Sequence, residues 1–344
     1  MALYRKYRPS DFAQVRGQET IVAVLEAAVA QKKIAHAYLF AGGRGTGKTT
    51  MARILARAVG TSEADTYEMD AASNRGIDEI RELREGVATS PFHSTYKFYI
   101  IDEAHALTPA AWGAFLKTLE EPPAHVVFVL ATTELDKIPE TIRSRCQVFV
   151  FKNPSHEMLK KLALDVAKKE GTVLAPAGAE LIALMGDGSF RDTLGILQKV
   201  LTLSQDEKLS EDEVAHVVGA PASRVVNEFL QALSTRDIAT ALSCFHAALR
   251  GGAEPKVFVL LAVAKVRAVL LLRFAPQIKK ELADQFSEAD MIVLEQLAKA
   301  PPPAGGGATI NSQLLAELIT ALLETAHAPI PAIPLELALW RVFG

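Results

Sequence analysis

The chain has 344 residues, of which 49% are hydrophobic and 22% are charged, and its formal net charge is −3. This length is enough for two or three domains with buried cores. The charge balance excludes a uniformly basic nucleic-acid-binding surface, although a local basic patch is compatible with it. The two cysteines, Cys146 and Cys244, form neither a disulfide framework nor a zinc spacing, and we expect both to be buried.

Short apolar runs alternate with helical patterns between residues 34 and 151. The runs predict strands over 37–41, 67–69, 98–101, 126–130 and 148–151. Apolar residues at three- and four-residue steps predict helices over 48–59, 77–87 and 110–119, the last opened by Thr108 and Pro109. Strand–helix alternation favours an α/β domain, with a mainly parallel sheet and helices on both faces.

The pattern becomes helical after Asn153-Pro154, with helices predicted over 157–169, 177–185 and 190–203. We therefore predict an α/β domain over 1–152, a small helical domain over 153–205 and an all-α domain over 206–344. Residues 204–212 form a charged linker in this interpretation, and the Pro- and Gly-rich stretch 300–309 forms a flexible loop.

Neither a secretory signal nor a membrane span is predicted. Residues 1–12 contain no apolar core of a signal peptide. The most apolar stretch, Val257–Phe274, contains Lys265, Arg267 and Arg273, so we expect a buried helix. We expect a cytoplasmic protein with no membrane partner.

The stretch AGGRGTGKTT, residues 41–50, matches the pattern of a phosphate-binding loop. Its glycines let successive backbone N–H groups point at phosphates, and the following helix adds its positive N-terminal end. Lys48 is then predicted to reach the β- and γ-phosphates, and Thr49 a magnesium ion. A chance glycine-rich turn would not be preceded by a strand and followed by a helix.

Two acids follow the predicted strand of FYIIDEAHAL, residues 98–107. Asp102 is expected to hold the Mg²⁺ shell and Glu103 to polarise the attacking water. At the end of the next strand, Thr132, followed by Thr133, is the candidate to lie beside the γ-phosphate. A hydroxyl that caps the next helix explains Thr132 equally well.

Three further patterns contain arginines that residue spacing alone does not assign. Arg145, like Arg143, lies in IRSRC, where it could be an arginine finger or a solvent-facing residue. Arg191 opens a helix after a glycine-rich turn, where it could contact the γ-phosphate or form an ordinary ion pair. Arg75, Arg81 and Arg84, near Asn74, could contact DNA phosphates, or belong to a solvated face rich in Asp and Glu.

These motifs, in this order and spacing, resemble the AAA+ clamp-loader ATPases, and more closely the tau/gamma family of bacterial DNA polymerase III subunits. The matching stretches include YRKYRPSDFAQVRGQE, EMDAASNRGIDEIREL, LKTLEEPPAHVVFVLATTE, IPETIRSRCQ, GSFRDTLG and PLELALWRV. The resemblance covers essentially the whole chain. It implies that the C-terminal domain, 206–344, is a collar through which subunits assemble.

The resemblance also implies roles for individual residues. The adenine would contact Arg8, Pro9 and Val15. The phosphates would be bound by the loop and helix start, namely Gly42, Gly43, Gly45, Thr46, Gly47, Lys48, Thr49 and Thr50. The expected catalytic residues are Lys48, Asp102, Glu103, Thr132 as first sensor, Arg145 as the finger for a neighbour's site and Arg191 as second sensor. ATP and Mg²⁺ are the implied cofactors, with Thr49 and Asp102 at the metal.

The implied partners are a sliding clamp, other clamp-loader subunits in a hetero-pentamer, and primer–template DNA contacted by Asn74, Arg75 and Arg81. The implied activity is ATP hydrolysis coupled to opening the clamp and loading it onto DNA during replication. The sequence departs from the family in one respect, because no four-cysteine zinc module follows the phosphate-loop helix. We therefore predict no zinc site.

Two other interpretations remain. DEAH at 102–105 is also a helicase signature, but a helicase would carry a second sheet domain, and a branch-migration motor would end in a winged helix. A structural loader subunit without activity should lack part of the loop, the acids or the sensors. All of these are present in the sequence, which favours an active ATPase.

Overall fold

A computed structural model describes residues 1–74, 76–203, 208–283, 285–300 and 310–344. Its strands are β1 (Ala37–Gly42), β2 (Thr66–Asp70), β3 (Lys97–Asp102), β4 (Val126–Thr132), β5 (Gln147–Phe151), β6 (Val173–Leu174) and β7 (Lys208–Leu209). Its first helices are α1 (Leu3–Lys6), α2 (Glu19–Ala30), α3 (Lys48–Ala58), α4 (Ile77–Ala88), α5 (Pro109–Glu120), α6 (Glu140–Arg143), α7 (His156–Lys169), α8 (Pro176–Met185) and α9 (Phe190–Leu203). The others are α10 (Glu211–Val218), α11 (Ser223–Ser234), α12 (Ile238–Arg250), α13 (Pro255–Phe274), α14 (Lys279–Ala283), α15 (Glu288–Lys299), α16 (Ser312–Thr325) and α17 (Ile333–Phe343).

The chain divides into two compact units, residues 1–159 with 186–195, and residues 160–185 with 196–344. The first contains a five-stranded sheet in the order β2-β3-β4-β1-β5, and every pair of neighbours is parallel. The five predicted strands and the three predicted helices of this region are confirmed, with bounds that differ by one or two residues. The predicted α/β fold is therefore confirmed.

Alternate residues of the sheet pack on opposite faces, which explains why β1, β3 and β4 are continuous apolar runs. Leu39, Ile101 and Phe128 face one core with α4 and α5. Tyr38 and Phe40 face the other core with α2 and α3. Strands buried on both faces need no polar alternation, in agreement with the predicted three-layer arrangement.

The second unit is mainly helical and has its own core, built from α11 to α13 and α15 to α17. Lys265 is buried within α13, as its apolar surroundings predicted. The predicted linker differs from the structure, because Lys208–Leu209 pairs with Val173–Leu174 and Ser210 caps α10 through a capping box. Residues 204–207 of that linker, and 301–309 of the predicted loop, lie outside the described residues.

Both cysteines are half-buried rather than fully buried. Burial raises the pKa of the Cys146 thiol to about 12, so this thiol stays protonated at neutral pH. Among the described residues, no helix is both long and apolar enough to cross a bilayer.

Candidate functional site

The phosphate-binding loop connects β1 to α3 at the carboxyl edge of the sheet. Gly45 and Gly47 have φ values of 70° and 101°, a left-handed conformation that glycine adopts without steric cost. The N-cap of α3 is Gly47, which offers no side chain to bond the first helical N–H groups. These N–H groups and the positive helix end therefore suit an anion.

Lys48 is buried inside this loop. Its Nζ donates to the carbonyl oxygens of Gly42 and Gly43, both at 2.8 Å. Burial lowers the pKa of Lys48, the carboxylates of Glu103 and Asp102 oppose that effect, and the charge of Arg191 adds to it. A phosphate at the loop would supply a charged partner in place of the two carbonyls.

Among the remaining loop residues, Thr46 has a side chain that bonds within the loop. Thr46 is buried, and its hydroxyl donates to the Gly43 carbonyl oxygen at 2.9 Å, which closes the loop on itself. Gly43 and Thr50 are half-buried beside it.

The two predicted metal residues are in contact. The Thr49 hydroxyl donates to Asp102 Oδ2 at 2.8 Å, across the gap between α3 and the end of β3. A hydroxyl and a carboxylate at this distance are the oxygen ligands that Mg²⁺ prefers beside a phosphate, so these residues fit the ion.

Glu103 follows Asp102 in a left-handed conformation, with φ of 48°. Its N–H donates to Asp102 Oδ1 at 3.0 Å, and its Oε2 accepts from the Thr133 hydroxyl at 3.2 Å. Its side chain thus stands at the same edge of the sheet as Lys48 and Asp102.

The structure gives Thr132 a different set of contacts from Thr133. Thr132 is fully buried, and its hydroxyl oxygen accepts the Glu134 N–H at 3.0 Å. His105 Nδ1 lies 3.0 Å from the same oxygen. Thr132 therefore bonds the N–H of Glu134, the N-cap residue of the short 3-10 helix Leu135–Lys137, and this helix has no side-chain cap. Thr133, not Thr132, touches Glu103.

The segment that carries Arg191 packs on the phosphate loop. The Phe190 N–H donates to the Gly45 carbonyl oxygen at 3.1 Å. Arg191 itself is exposed, and its charge acts on both Lys48 and Arg8. The structure therefore brings Arg191 to the predicted site.

The N-terminal segment contributes a second group of positive charges. Burial lowers the pKa of Arg8, and the charges of Arg53, Arg191 and Arg5 lower it further, while Glu68 opposes them. Val15 packs on the core cluster that contains α3, and Pro9 is half-buried. Arg53 and Glu68 were not predicted, and they form a two-point ion pair at 2.7 and 2.9 Å.

Arg145 lies apart from these residues, next to the end of α5. Its Nη2 donates to Glu120 Oε1 at 2.9 Å and its Nη1 to the Thr141 carbonyl oxygen at 2.8 Å. These bonds hold the guanidinium at the surface, where 35% of the side chain is exposed.

The predicted DNA contacts lie around the start of α4. Asn74 Nδ2 donates to the Asp70 carbonyl oxygen at 3.1 Å, and Arg81 pairs with Asp78 at 2.8 Å on an exposed face. Arg75 lies outside the described residues. One of the acidic residues predicted to share this helix, Asp78, is therefore paired with one of its arginines.

Two residues next to the site, His105 and Ser189, were not predicted from the sequence. His105 contacts Thr132, Glu103 and Glu134, and Ser189 lies against Gly45. His105 belongs to the DEAH stretch itself, so its position directly after the paired acids was the available signal. Nothing in residue spacing indicated Ser189.

A parallel sheet with a phosphate loop after β1, paired acids at the end of β3 and an arginine segment packed on the loop defines a P-loop protein of the AAA+ class. Two family models match the chain: DNA polymerase III, delta subunit, over residues 17–76 and 62–155, and DNA polymerase III subunits gamma and tau domain III, over residues 209–344. The chain belongs to the gamma/tau family of DNA polymerase III subunits.

Relatives agree with that assignment. The tau subunit of Bacillus subtilis (strain 168) is 39% identical over 80% of this chain and 52% of the relative. The gamma/tau subunit of Mycobacterium tuberculosis (strain H37Rv) is 34% identical over 99% of this chain and 62% of the relative. The chain thus spans about half to three fifths of the length of these relatives.

A solved structure shows the same fold at low sequence identity. The RuvB Holliday junction branch migration motor of Thermotoga maritima superposes with a TM-score of 0.53 at 18% identity, over 86% of this chain and 93% of that one. This similarity concerns the fold alone.

Proposed function

We propose that the chain is an ATP-hydrolysing clamp-loader subunit, which with its partner subunits opens a sliding clamp and loads it onto primer–template DNA. The observation that carries this proposal is the Thr49–Asp102 contact beside the buried Lys48, in a chain of the gamma/tau family. An intact phosphate loop with paired acids argues for hydrolysis rather than for a purely structural role.

In this proposal, Lys48 and the loop N–H groups bind the phosphates, while Arg8, Pro9 and Val15 contact the adenine. Thr49 and Asp102 would hold Mg²⁺, which would supply stabilisation of negative charge on the phosphates. Glu103 orients the attacking water and accepts its proton. Arg191 contributes positive charge from the same chain, and Thr132, with Thr133 beside it, is the proposed sensor of the γ-phosphate.

Arg145 is proposed to act on a neighbouring subunit's nucleotide. It lies with Glu120 at the end of α5 rather than among Lys48, Asp102 and Glu103, and its side chain is partly exposed. An arginine supplied by a neighbour makes hydrolysis depend on assembly.

The three-domain division stays a proposal, with an AAA+ domain over 1–152, a lid over 153–205 and a collar over 206–344. Exposed apolar side chains on α16 and α17 support a collar that assembles with other subunits. Ile319, Leu323 and Trp340 are 42%, 69% and 53% exposed, although they are large apolar residues. Such residues favour burial against another subunit.

The proposed DNA contact is made by Asn74, Arg75 and Arg81, through the phosphate backbone rather than the bases. We also propose a cytoplasmic location and no membrane partner. The clamp and the other subunits of a hetero-pentamer are likewise proposed partners.

Steady-state ATP hydrolysis tests the proposal directly. We would measure it for the chain assembled with its clamp and partner subunits, with and without primed DNA. Clamp and DNA should stimulate the wild type, Lys48→Ala should lose nucleotide binding, and Arg145→Ala should lose the stimulation while it still binds nucleotide. Hydrolysis that ignores the clamp would contradict the clamp-loader function.

A further inference from the structure

His105 lies in the short 3-10 helix Ala104–Ala106, directly after Glu103. Its side chain is 17% exposed and touches polar groups at both ring nitrogens. Nδ1 lies 3.0 Å from Thr132 Oγ1 and 3.5 Å from Glu103 Oε2. Nε2 lies 3.3 Å from Glu134 Oε1. The ring therefore stands between two carboxylates that follow neighbouring strands, β3 and β4.

We propose that His105 is a positioning residue, which sets the orientation of the Glu103 carboxylate for hydrolysis and is itself anchored by Glu134 and Thr132. This inference rests on the proposed ATPase function. It gives His105 no contact with substrate, because its effect passes through Glu103.

The first argument is the small number of groups that orient Glu103. Its backbone is left-handed, and the Asp102 carboxylate accepts its N–H. Its side chain is 36% exposed, and the contacts described for its carboxylate are the Thr133 hydroxyl and the His105 ring. Loss of the ring nitrogens would leave the Thr133 hydroxyl, at 3.2 Å, as the only contact described for this partly exposed carboxylate, and one contact restrains its rotation less than two.

The second argument is that the ring itself is restrained. Both ring nitrogens face carboxylate oxygens, which only accept hydrogen bonds, so the nitrogen that carries the proton donates to one of the two carboxylates. Glu134 is in turn held by Lys137 Nζ at 2.8 Å. The Thr132 hydroxyl oxygen also accepts a hydrogen bond from the Glu134 N–H, which holds the hydroxyl in place. The ring thus has a defined position from which to contact Glu103.

The third argument concerns what lies beyond Glu134. Lys137 lines a cavity of about 370 Å³ with Trp112, Pro139 and Thr141. The carbonyl of Thr141 also accepts a bond from Arg145. His105 is therefore linked, through Glu134 and Lys137, to the wall of this cavity.

The test is ATP hydrolysis by the assembled complex, with kcat and KM measured separately. We expect His105→Phe, which keeps a ring but removes both nitrogens, to lower kcat by about 10- to 100-fold, in line with the cost of a misplaced catalytic group. Affinity for a non-hydrolysable ATP analogue and the thermal midpoint should stay near wild type. His105→Gln, which retains a donor and an acceptor, should recover part of kcat.

A matched control is His216→Phe, since His216 is an exposed histidine of α10 in the other unit. It should hydrolyse ATP at the wild-type rate. If His105→Phe also does so, the positioning role is overturned. If His105→Phe lowers analogue affinity and the thermal midpoint together with kcat, and His105→Gln recovers nothing, the residue is merely structural and the inference is equally overturned. A wild-type complex without any ATPase activity would instead contradict the proposed function.

Discussion

The hydroxyl of Thr49 donates to Asp102 Oδ2 over 2.8 Å, so the first turn of α3 is bonded to the last residue of β3. We expect Asp102→Asn to lower hydrolysis in the assembled complex by about 100-fold or more, because several kcal/mol of metal-assisted charge stabilisation are lost. Binding of ATP in magnesium-free buffer should change little. A magnesium titration of nucleotide affinity measures this. An unchanged magnesium dependence in Asp102→Asn would place the ion elsewhere.

The bond between Arg145 and Glu120 leads to a second prediction. We expect Arg145→Ala to reduce hydrolysis in the complex by about 1,000-fold, the usual scale for an arginine finger. Arg145→Lys should restore little, because one ammonium cannot replace the guanidinium fork. Glu120→Gln should cost less, since the Thr141 carbonyl still holds the guanidinium.

The exposed Arg57 on α3 provides the control for this series. Arg57→Ala should behave as wild type in the same ATPase assay. Equal activity of Arg145→Ala and Arg57→Ala would exclude the finger role.

The phosphate loop could be predicted because its residues are consecutive in the sequence. The loop from Gly42 to Thr50 is one continuous segment, and Asp102 is the last residue of β3. Carboxyl ends of parallel strands meet at one edge of a sheet, so strand–helix alternation predicts that Thr49 and Asp102 lie at the same edge. Their contact depends in addition on the strand order, which residue spacing does not contain.

Other features depended on tertiary contacts that residue spacing does not contain. Residue spacing could not tell whether Thr132 or Thr133 contacts Glu103, because this depends on which of the two side chains points toward Glu103 at the end of β4. The strand Lys208–Leu209 is two residues long and forms only because Val173–Leu174 pairs with it. Residues 204–212 are rich in charged side chains, so the sequence predicted a linker there and not a strand.

The contact between Gly45 and Ser189 supports a third prediction. A Cβ on Gly45 would overlap Ser189 Oγ, and φ of +70° is itself strained for alanine. We expect Gly45→Ala to weaken ATP binding, because the segment carrying Arg191 must move away from the loop. Gly45→Ala combined with Ser189→Gly should recover part of the affinity by removing the overlap. Fluorescent-nucleotide titration measures both, and wild-type affinity in Gly45→Ala would contradict the argument.

Asp65 provides a prediction about pH. Burial acts to raise the pKa of this carboxyl, but hydrogen bonds from the His93 and Phe92 N–H groups and from two serines outweigh it, so the pKa lies well below its ordinary value. A lowered folded-state pKa stabilises the protein above the unfolded pKa, and that stabilisation disappears as pH falls toward the folded pKa.

Asp65→Asn should therefore lower the apparent unfolding midpoint most at pH 7, and the gap to wild type should narrow as pH falls below about 4. Thermal unfolding at a series of pH values measures the gap. Asp136→Asn, on an exposed residue, should show no such gap at pH 7. If the difference in unfolding midpoint between Asp65→Asn and wild type grew as the pH fell, the folded-state pKa of Asp65 would not be lowered.

The last prediction concerns the buried ion pair of the helical unit. Lys265 Nζ donates to Asp290 Oδ1, to Asn227 Oδ1 and to Ser223 Oγ, each at 2.7 Å. Burial acts to raise the pKa of Asp290, but the charge of Lys265 together with hydrogen bonds from Lys265, Asn227 and Ser223 outweighs it, so the pKa lies below its ordinary value. Lys265→Met leaves a buried carboxylate without its partner, which should lower the free energy of unfolding by about 3–5 kcal/mol.

The double variant Lys265→Met with Asp290→Leu should be more stable than Lys265→Met alone, since no buried charge then lacks a partner. Urea unfolding of the full chain, followed by circular dichroism, measures both variants. Lys279→Met removes a lysine from an exposed ion pair with Glu295 and should change the free energy of unfolding by less than about 1 kcal/mol. If Lys265→Met lowered the free energy of unfolding no more than Lys279→Met, the buried ion pair would stabilise this unit no more than the exposed one.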